Sequence, residues 1–407
     1  LSPRRIAILG SRGIPARYGG FETFAEELAV GLVERGAEVT VFCERSNGTP
    51  AREPAREHRG VRLVHVPAPR LGPLRTILFD LGCLWRARKG FDVVYMLGYG
   101  SALFCGLPRR SGSEVWINMD GLEWRRRKWG RLARAWLRWN EGRALAVATR
   151  VVFDADAVRA DVLARRPARA DVSVIEYGAR PPQTFDPGVL EELVLRPREY
   201  YLVVCRIEPE NHVLEIVTAF ARLATDRTLL VVGNVDGAGE YGRACRQAAG
   251  RARVRFLGAL FDGTTLDTLR TGSRAVLHGH SVGGTNPSLL EALAAGAPVI
   301  AHDNPFNREV LGAEATCFHD TESLIEALRV VEARDAEEHG RLGDEARARV
   351  TTYYQWERIV AAYATLLGAP QEAGGAEGAA PIDDPVPAPE PRAPLPGGHP
   401  SGTPARR

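Results

Sequence analysis

His278-Gly279-His280-Ser281-Val282-Gly283-Gly284-Thr285-Asn286-Pro287-Ser288-Leu289-Leu290-Glu291-Ala292 follows the apolar run Ala275–Leu277 and opens a helical pattern that stops at Gly296. An apolar strand, a glycine-rich turn and a helix in that order form the repeating unit of a parallel α/β sheet. Asn286 is a natural N-cap, and Pro287 suits the first helical position, where a missing N–H costs nothing. Such a turn presents unpaired amides at the positive end of a helix dipole, an arrangement that suits a diphosphate. Thr285, Asn286 and Ser288 are therefore candidate phosphate contacts. Glu291, just over one turn inside the helix, is placed to accept hydrogen bonds from two ribose hydroxyls. His280 lies at the strand end, near the expected sugar. His278 and His280 are two residues apart with no further ligand cluster, so no metal site is expected.

The same unit recurs outward from this segment. A first series of strand candidates is Ile6–Leu9, Glu38–Phe42, Arg62–Val66, Asp92–Met96, Glu114–Asn118, Arg150–Phe153 and Val172–Ile175. A second series follows the proline-rich stretch around Arg180 to Pro197. It comprises Tyr200–Cys205, Thr228–Val232, Val254–Leu257, Ala275–Leu277, Pro298–Ala301 and Ala315–Phe318. Two series imply two Rossmann-like doubly wound domains facing across a cleft, over residues 1–180 and 181–352. Residues 353–367 form a terminal helix pattern expected to return to the first domain. Residues 368–407, rich in Pro, Gly and Ala, are expected to be disordered. The chain has 407 residues, 45% hydrophobic and 25% charged, which fits two globular cores and a tail. The formal net charge of +3 creates no general field for nucleic acid, and no nucleic-acid partner is expected. The six cysteines form neither a C-x-x-C pair nor a zinc pattern, as expected of thiols in a reducing cytosol. No segment approaches the roughly 20 apolar residues of a membrane span, and Leu1–Leu9 lacks a signal-peptide layout. The expected location is cytoplasmic.

Four other segments carry chemistry. Gly10 to Glu22 is a long strand-to-helix loop holding Gly13, Arg17, Tyr18, Gly19, Gly20 and Glu22. Its glycines match neither the dinucleotide fingerprint nor a Walker loop, which disfavours a nicotinamide dehydrogenase. We read it as a sugar or acceptor loop, against the alternative of a flexible surface loop. Strand Tyr200–Cys205 runs into Arg206-Ile207-Glu208-Pro209-Glu210-Asn211-His212. There the Arg206 guanidinium can grip a phosphate bidentately or pair with Glu208 or Glu210. Strand Glu114–Asn118 ends in Met119-Asp120, which puts a carboxylate at the crevice. Asp120 is the candidate catalytic residue, gripping a sugar hydroxyl or acting as base on the acceptor, unless it is a cap or turn carboxylate. Asp154-Ala155-Asp156 imitates a metal-binding motif, but Asp156 reads as an N-cap, and no metal or other cofactor is expected. The run Trp124-Arg125-Arg126-Arg127-Lys128-Trp129 suits an anionic membrane surface, whereas Trp129, Leu132, Trp136 and Leu137 equally form a helical core stripe.

In combination these motifs resemble the retaining GT-B glycosyltransferases of family four. Gly-Gly-Thr-Asn-Pro-Ser-Leu-Leu-Glu and Gly-Ser-Arg-Gly-Ile-Pro-x-x-Tyr-Gly-Gly-Phe-Glu-Thr resemble a rhamnosyltransferase-like branch that assembles bacterial capsule and cell-surface polysaccharide. The resemblance covers roughly residues 4 to 367. It makes Glu291 the ribose binder and Arg206 a diphosphate cation. Gly283 stands where the family has a first glutamate, and Asn211 where it has a lysine beside the diphosphate. It implies a metal-independent hexosyltransferase that moves a hexosyl or deoxyhexosyl group, such as rhamnosyl, from a nucleotide-diphosphate sugar donor. The implied acceptor is a glycan or lipid-linked, with peripheral contact at the inner face of the cell membrane. Two other readings stay open: a sugar-nucleotide epimerase or hydrolase on the same fold, and a catalytically idle nucleotide-sugar-binding scaffold.

Overall fold

The computed structural model describes residues 3–16, 19–45, 55–69, 71–312 and 315–368. The tail after Gly368, Arg17 and Tyr18 lie outside the described residues.

The first domain holds β1 (Arg5–Leu9), β2 (Glu38–Arg45), β3 (Glu57–His58), β4 (Val61–Pro67), β5 (Val93–Met96), β6 (Glu114–Asn118), β7 (Arg150–Phe153) and β8 (Asp171–Val174). The second holds β9 (Tyr200–Val204), β10 (Thr228–Val232), β11 (Val254–Gly258), β12 (Ala275–His278), β13 (Val299–His302) and β14 (Thr316–Phe318). The sheet orders are β3-β4-β2-β1-β5-β6-β7-β8 and β11-β10-β9-β12-β13-β14. All pairings are parallel except β3 with β4. Every strand expected from the sequence is present to within a residue or three at its ends. The two-residue β3, too short to show a period, was not legible.

Alternation explains why apolar runs without a polar face make these strands. In β1, Ile6 and Ile8 enter one core while Ala7 and Leu9 enter the core on the other face. In β9, Tyr201 and Val203 divide from Tyr200 and Leu202 in the same way. Helices cover both faces of each sheet, so strand ends are where polar chemistry reaches solvent. The strand order reverses between β1 and β5 and between β9 and β12, and each reversal opens a crevice at the carboxyl ends.

The chain passes between domains at two neighbouring places. The Ala179 N–H donates to the Tyr354 C=O at 2.8 Å, and Ala179 forms a parallel bridge with Gln355. The helix Ala336–Tyr353 ends there, and the helix Trp356–Leu366 packs on Gly20–Glu34 of the first domain. The Tyr363 and Tyr95 hydroxyls meet at 2.7 Å within that contact. Leu289, Leu290 and Leu293 of the helix Pro287–Ala294 join the same apolar cluster, so both domains share a core along this side.

Candidate active site

The turn before Pro287–Ala294 is held by its own side chains. Asn286 is the N-cap, and its Oδ1 accepts from the Ser288 N–H at 3.0 Å and the Ser288 hydroxyl at 2.9 Å. The buried Thr285 hydroxyl donates across the domain boundary to the Asp154 C=O at the end of β7. Two glycines permit this approach. A Cβ on Gly121, at φ +56°, would lie 2.8 Å from the Gly283 Cα, and one on Gly284 would overlap the Asp154 carboxylate. The ends of β6 and β7 thus clasp residues 283–285. The Thr285, Asn286 and Ser288 side chains shape the turn, with Asn286 the N-cap that the sequence predicts.

Glu291 projects from the helix with its side chain 43% exposed, paired with the buried Arg270 guanidinium. Arg270 also lies 3.5 Å from Asp267. Sequence reading missed Arg270: its helix Gly263–Gly272 shows no sign that one arginine on its buried side would point at a carboxylate on the next helix.

The Arg206 side chain is 51% exposed, with its Nη1 3.5 Å from Glu208 Oε1. Arg206 thus stands beside Glu208 and still faces solvent. Asn211 corrects an expectation. It is buried and donates to the Arg206 C=O at 2.7 Å, fastening the loop instead of facing a donor. Residues 10–16 form a loop at the carboxyl end of β1, and Glu22 lies on the helix Gly20–Glu34. Glu22 accepts from the Arg12 N–H at 2.9 Å and so holds this loop in shape. A Cβ on Gly20 would lie 3.1 Å from the Pro287 ring, so Gly20 meets the turn, whereas Gly13 packs on Cys43 of β2 and Gly19 on Glu22.

The aromatic and basic run folds inward more than a membrane face would. Arg126 pairs with Glu123, and its Nη1 lies 3.9 Å from Glu208 Oε2 of the other domain. Lys128 Nζ lies 3.9 Å from Glu208 Oε1. Arg125 pairs with Asp161 at 2.8 Å. The Trp124 indole donates to the buried Glu141 at 2.8 Å, and the Trp129 indole donates to Glu123 at 3.1 Å. Arg127 remains exposed. Arg126 and Lys128 therefore lie near Glu208 of the second domain, and Arg125, Arg127 and Trp129 are exposed.

Two carboxylates close the site on the first-domain side. Burial and the neighbouring Glu123 push the Asp120 pKa up to about 6, while Arg126, Arg206 and Lys128 pull the other way. Asp154 is buried with neither carboxylate oxygen hydrogen-bonded. Desolvation and the nearby Asp120 raise its pKa well above the usual carboxylate range. Asp156 is not the N-cap. Ala155 takes that position, and Asp156, the first helical residue of Asp156–Arg165, pairs with Arg159 at 2.7 Å. The helix amides are capped from the other domain: Glu309 accepts from the Asp156 N–H at 2.7 Å and the Ala157 N–H at 2.8 Å. His278 and His280 stack at 4.3 Å. Burial lowers His278 to about 3 and His280 well below its ordinary value, so both rings are neutral near pH 7. No group of three or more metal-ligating side chains occurs among the described residues.

The site is thus a corner between two parallel-sheet domains where a helix start, cations and carboxylates converge. It combines a helix N-terminus, cations from both domains, the half-exposed Glu291 carboxylate and the buried Asp120. Residues 192–349 match the family described as glycosyl transferases group 1, and residues 3–180 match a domain of unknown function, DUF1972. A comparison with curated proteins found no match. Among solved structures, the chain is similar to a sucrose-phosphate synthase from Thermosynechococcus elongatus. That match has 20% identity and a TM-score of 0.76, covering 90% of this chain and 98% of the other. HepE from Anabaena, solved in complex with UDP and glucose, is 17% identical with a TM-score of 0.69, covering 90% and 100%. An α,α-trehalose-phosphate synthase (UDP-forming) from Burkholderia vietnamiensis is 14% identical with a TM-score of 0.67, covering 90% and 100%. The chain has the GT-B fold, and its second domain carries the glycosyl transferases group 1 region.

Proposed function

We propose that this chain is a glycosyltransferase that moves a hexosyl or deoxyhexosyl group from a nucleotide-diphosphate sugar to a glycan or lipid-linked acceptor. The observation that carries this reading is the corner where the capped helix Pro287–Ala294, Arg206 and Glu291 meet the first domain. The diphosphate lies at Arg206 and the turn before the helix, and the Glu291 carboxylate, oriented by Arg270, accepts from the ribose hydroxyls. As the sugar leaves, negative charge grows on the diphosphate, and fixed cations and amide dipoles stabilise it without a metal. Asp120 faces the sugar from the first domain, gripping a hydroxyl or taking the acceptor proton as its pKa near 6 permits. The sequence resemblance supports rhamnosyl transfer with retention, in the assembly of cell-surface polysaccharide. A cytoplasmic enzyme with such an acceptor works at the inner membrane face. The outer helical layer of the first domain offers a groove of about 1150 Å³ with Leu78, Trp85, Phe104, Arg109, Arg110 and Arg143 on its walls. That mixture suits an anionic lipid surface better than Trp124–Trp129 does.

The test is donor binding and turnover with UDP- and dTDP-sugars, with and without a lipid-linked acceptor. Transfer is the expected outcome. Turnover without acceptor would point to a hydrolase or epimerase, and binding without turnover to a scaffold. Glu291→Ala and Arg206→Ala should each weaken donor binding by about 1–3 kcal/mol, the scale of a lost charge-assisted bond. Wild-type affinity in both would refute the assigned roles.

A further inference from the structure

We propose that the diphosphate clamp of this site is completed from the opposite domain by Arg126 and Lys128, so that the donor bridges the two domains through its phosphates. This inference rests on the donor site proposed above and names residues which that reading did not use.

Three cations converge on one carboxylate. Arg206 comes from the second domain, and Arg126 and Lys128 come from the first; they stand 3.5, 3.9 and 3.9 Å from the Glu208 oxygens. Charge-assisted hydrogen bonds run near 2.7–2.9 Å, so none of the three is closely bonded to Glu208. Arg126 is only 12% exposed, its Nη1 has no hydrogen-bond partner, and Glu208 Oε2 has none either. Burying a guanidinium with unused donors is costly unless an acceptor arrives. Glu123 takes part of the Arg126 charge, but it lies on the same loop and leaves Nη1 turned towards Glu208. Asn211 is neutral and supplies no positive charge, and its amide N–H is spent on the Arg206 C=O. The cations therefore surround a place that Glu208 fills loosely and a diphosphate would fill well. Two phosphates offer several acceptor oxygens, enough to engage all three groups at bonding distance. Because the cations belong to different domains, binding them together also favours the closed apposition in which Gly121 touches Gly283.

The test is calorimetric titration of the full chain with UDP, dTDP, UMP and dTMP. The variants are Arg126→Gln, Lys128→Gln, their combination, Arg126→Lys, Arg206→Ala and Glu291→Ala. The combined variant should raise the diphosphate Kd by about 10- to 100-fold and the monophosphate Kd far less, with partial recovery in Arg126→Lys. Glu291→Ala should weaken both kinds of nucleotide alike. If Arg126→Gln does not fold, the more exposed Lys128→Gln still decides, by loss of the preference for diphosphate. An unchanged ratio of diphosphate to monophosphate affinity in these variants, while Arg206→Ala lowers it, overturns the inference and leaves the donor site standing. Failure of the unaltered chain to bind any of the four nucleotides overturns both.

Discussion

Glu309 offers the cleanest measure of how the domains are fastened. It belongs to the second domain, yet its carboxylate takes the Asp156 and Ala157 amides at the start of a first-domain helix, at 2.7 and 2.8 Å. Glu309→Ala would strand two part-buried N–H groups. Each orphaned group costs about 1–3 kcal/mol, and the lost charge at a helix N-terminus adds roughly 0.3–1 kcal/mol. Burial raises the Glu309 pKa despite those amides, so desolvation already offsets part of the gain. Taking the lower end, Glu309→Ala should cost about 2 kcal/mol, and Glu309→Gln, which keeps one acceptor, about half that. At roughly 2–4 °C per kcal/mol for domains of this size, scanning calorimetry should show Tm falling by about 4–8 °C. A double-mutant cycle isolates the bond. Asp156→Pro deletes one donor at a helical position that tolerates proline, and the extended Ala155 before it is compatible. Asp156→Pro should therefore cost less in the Glu309→Ala background than alone. A Tm within about 1 °C of wild type for Glu309→Ala, or strictly additive costs in the cycle, would refute this account.

Two further outcomes are expected. Asp80 is buried with the Ser101 hydroxyl donating to it at 2.6 Å, and burial pushes its pKa up to about 7. A raised folded-state pKa gives stability that is complete below the unfolded value of 3.8 and lost as pH climbs through 7. Asp80→Asn does not titrate, so its stability relative to wild type should improve by about 2–3 kcal/mol between pH 5 and pH 8. Denaturant unfolding at both values checks this, and an unchanged difference would show that Asp80 titrates normally. For the membrane reading, Trp85 and Trp139 are 54% and 46% exposed on the outer layer of the first domain. Replacing both with Ala should reduce co-sedimentation with phosphatidylglycerol vesicles, whereas equal recovery of the protein with neutral vesicles would remove electrostatics from the account.

Local features were legible in the sequence because local physics decides them. The apolar runs of β1 and β9 needed no partner to be recognised, and Asn286-Pro287 marked its helix start through groups two residues apart. Features that depend on apposition of the two domains were not. Asp156 has the chemistry of a cap, yet the N-cap falls one residue earlier, at Ala155, and a carboxylate from residue 309 took the first two amides of the helix. Arg126 and Lys128 read as membrane cations because nothing in residues 124–129 says that Glu208 will stand opposite them. Arg270 was invisible for the same reason: its partner Glu291 lies on a different helix. The sequence resemblance expects a cation at Asn211, but its inward hydrogen bond is a property of the folded loop.

The neighbouring passages at Ala179 and Tyr354–Gln355 restrict how this molecule can breathe. Two polypeptide links separated by one hydrogen bond act like the pin of a hinge, resisting sliding and leaving a swing as the easy motion. The apolar cluster shared by Leu289 and the last helix lies close to that pin and would move least. The loosely paired Arg126, Lys128 and Glu208 would part early in such a swing. Substrate entry and product escape would then be governed by a few long, hydrated ion pairs, and turnover should quicken or slow with ionic strength before any core contact is disturbed.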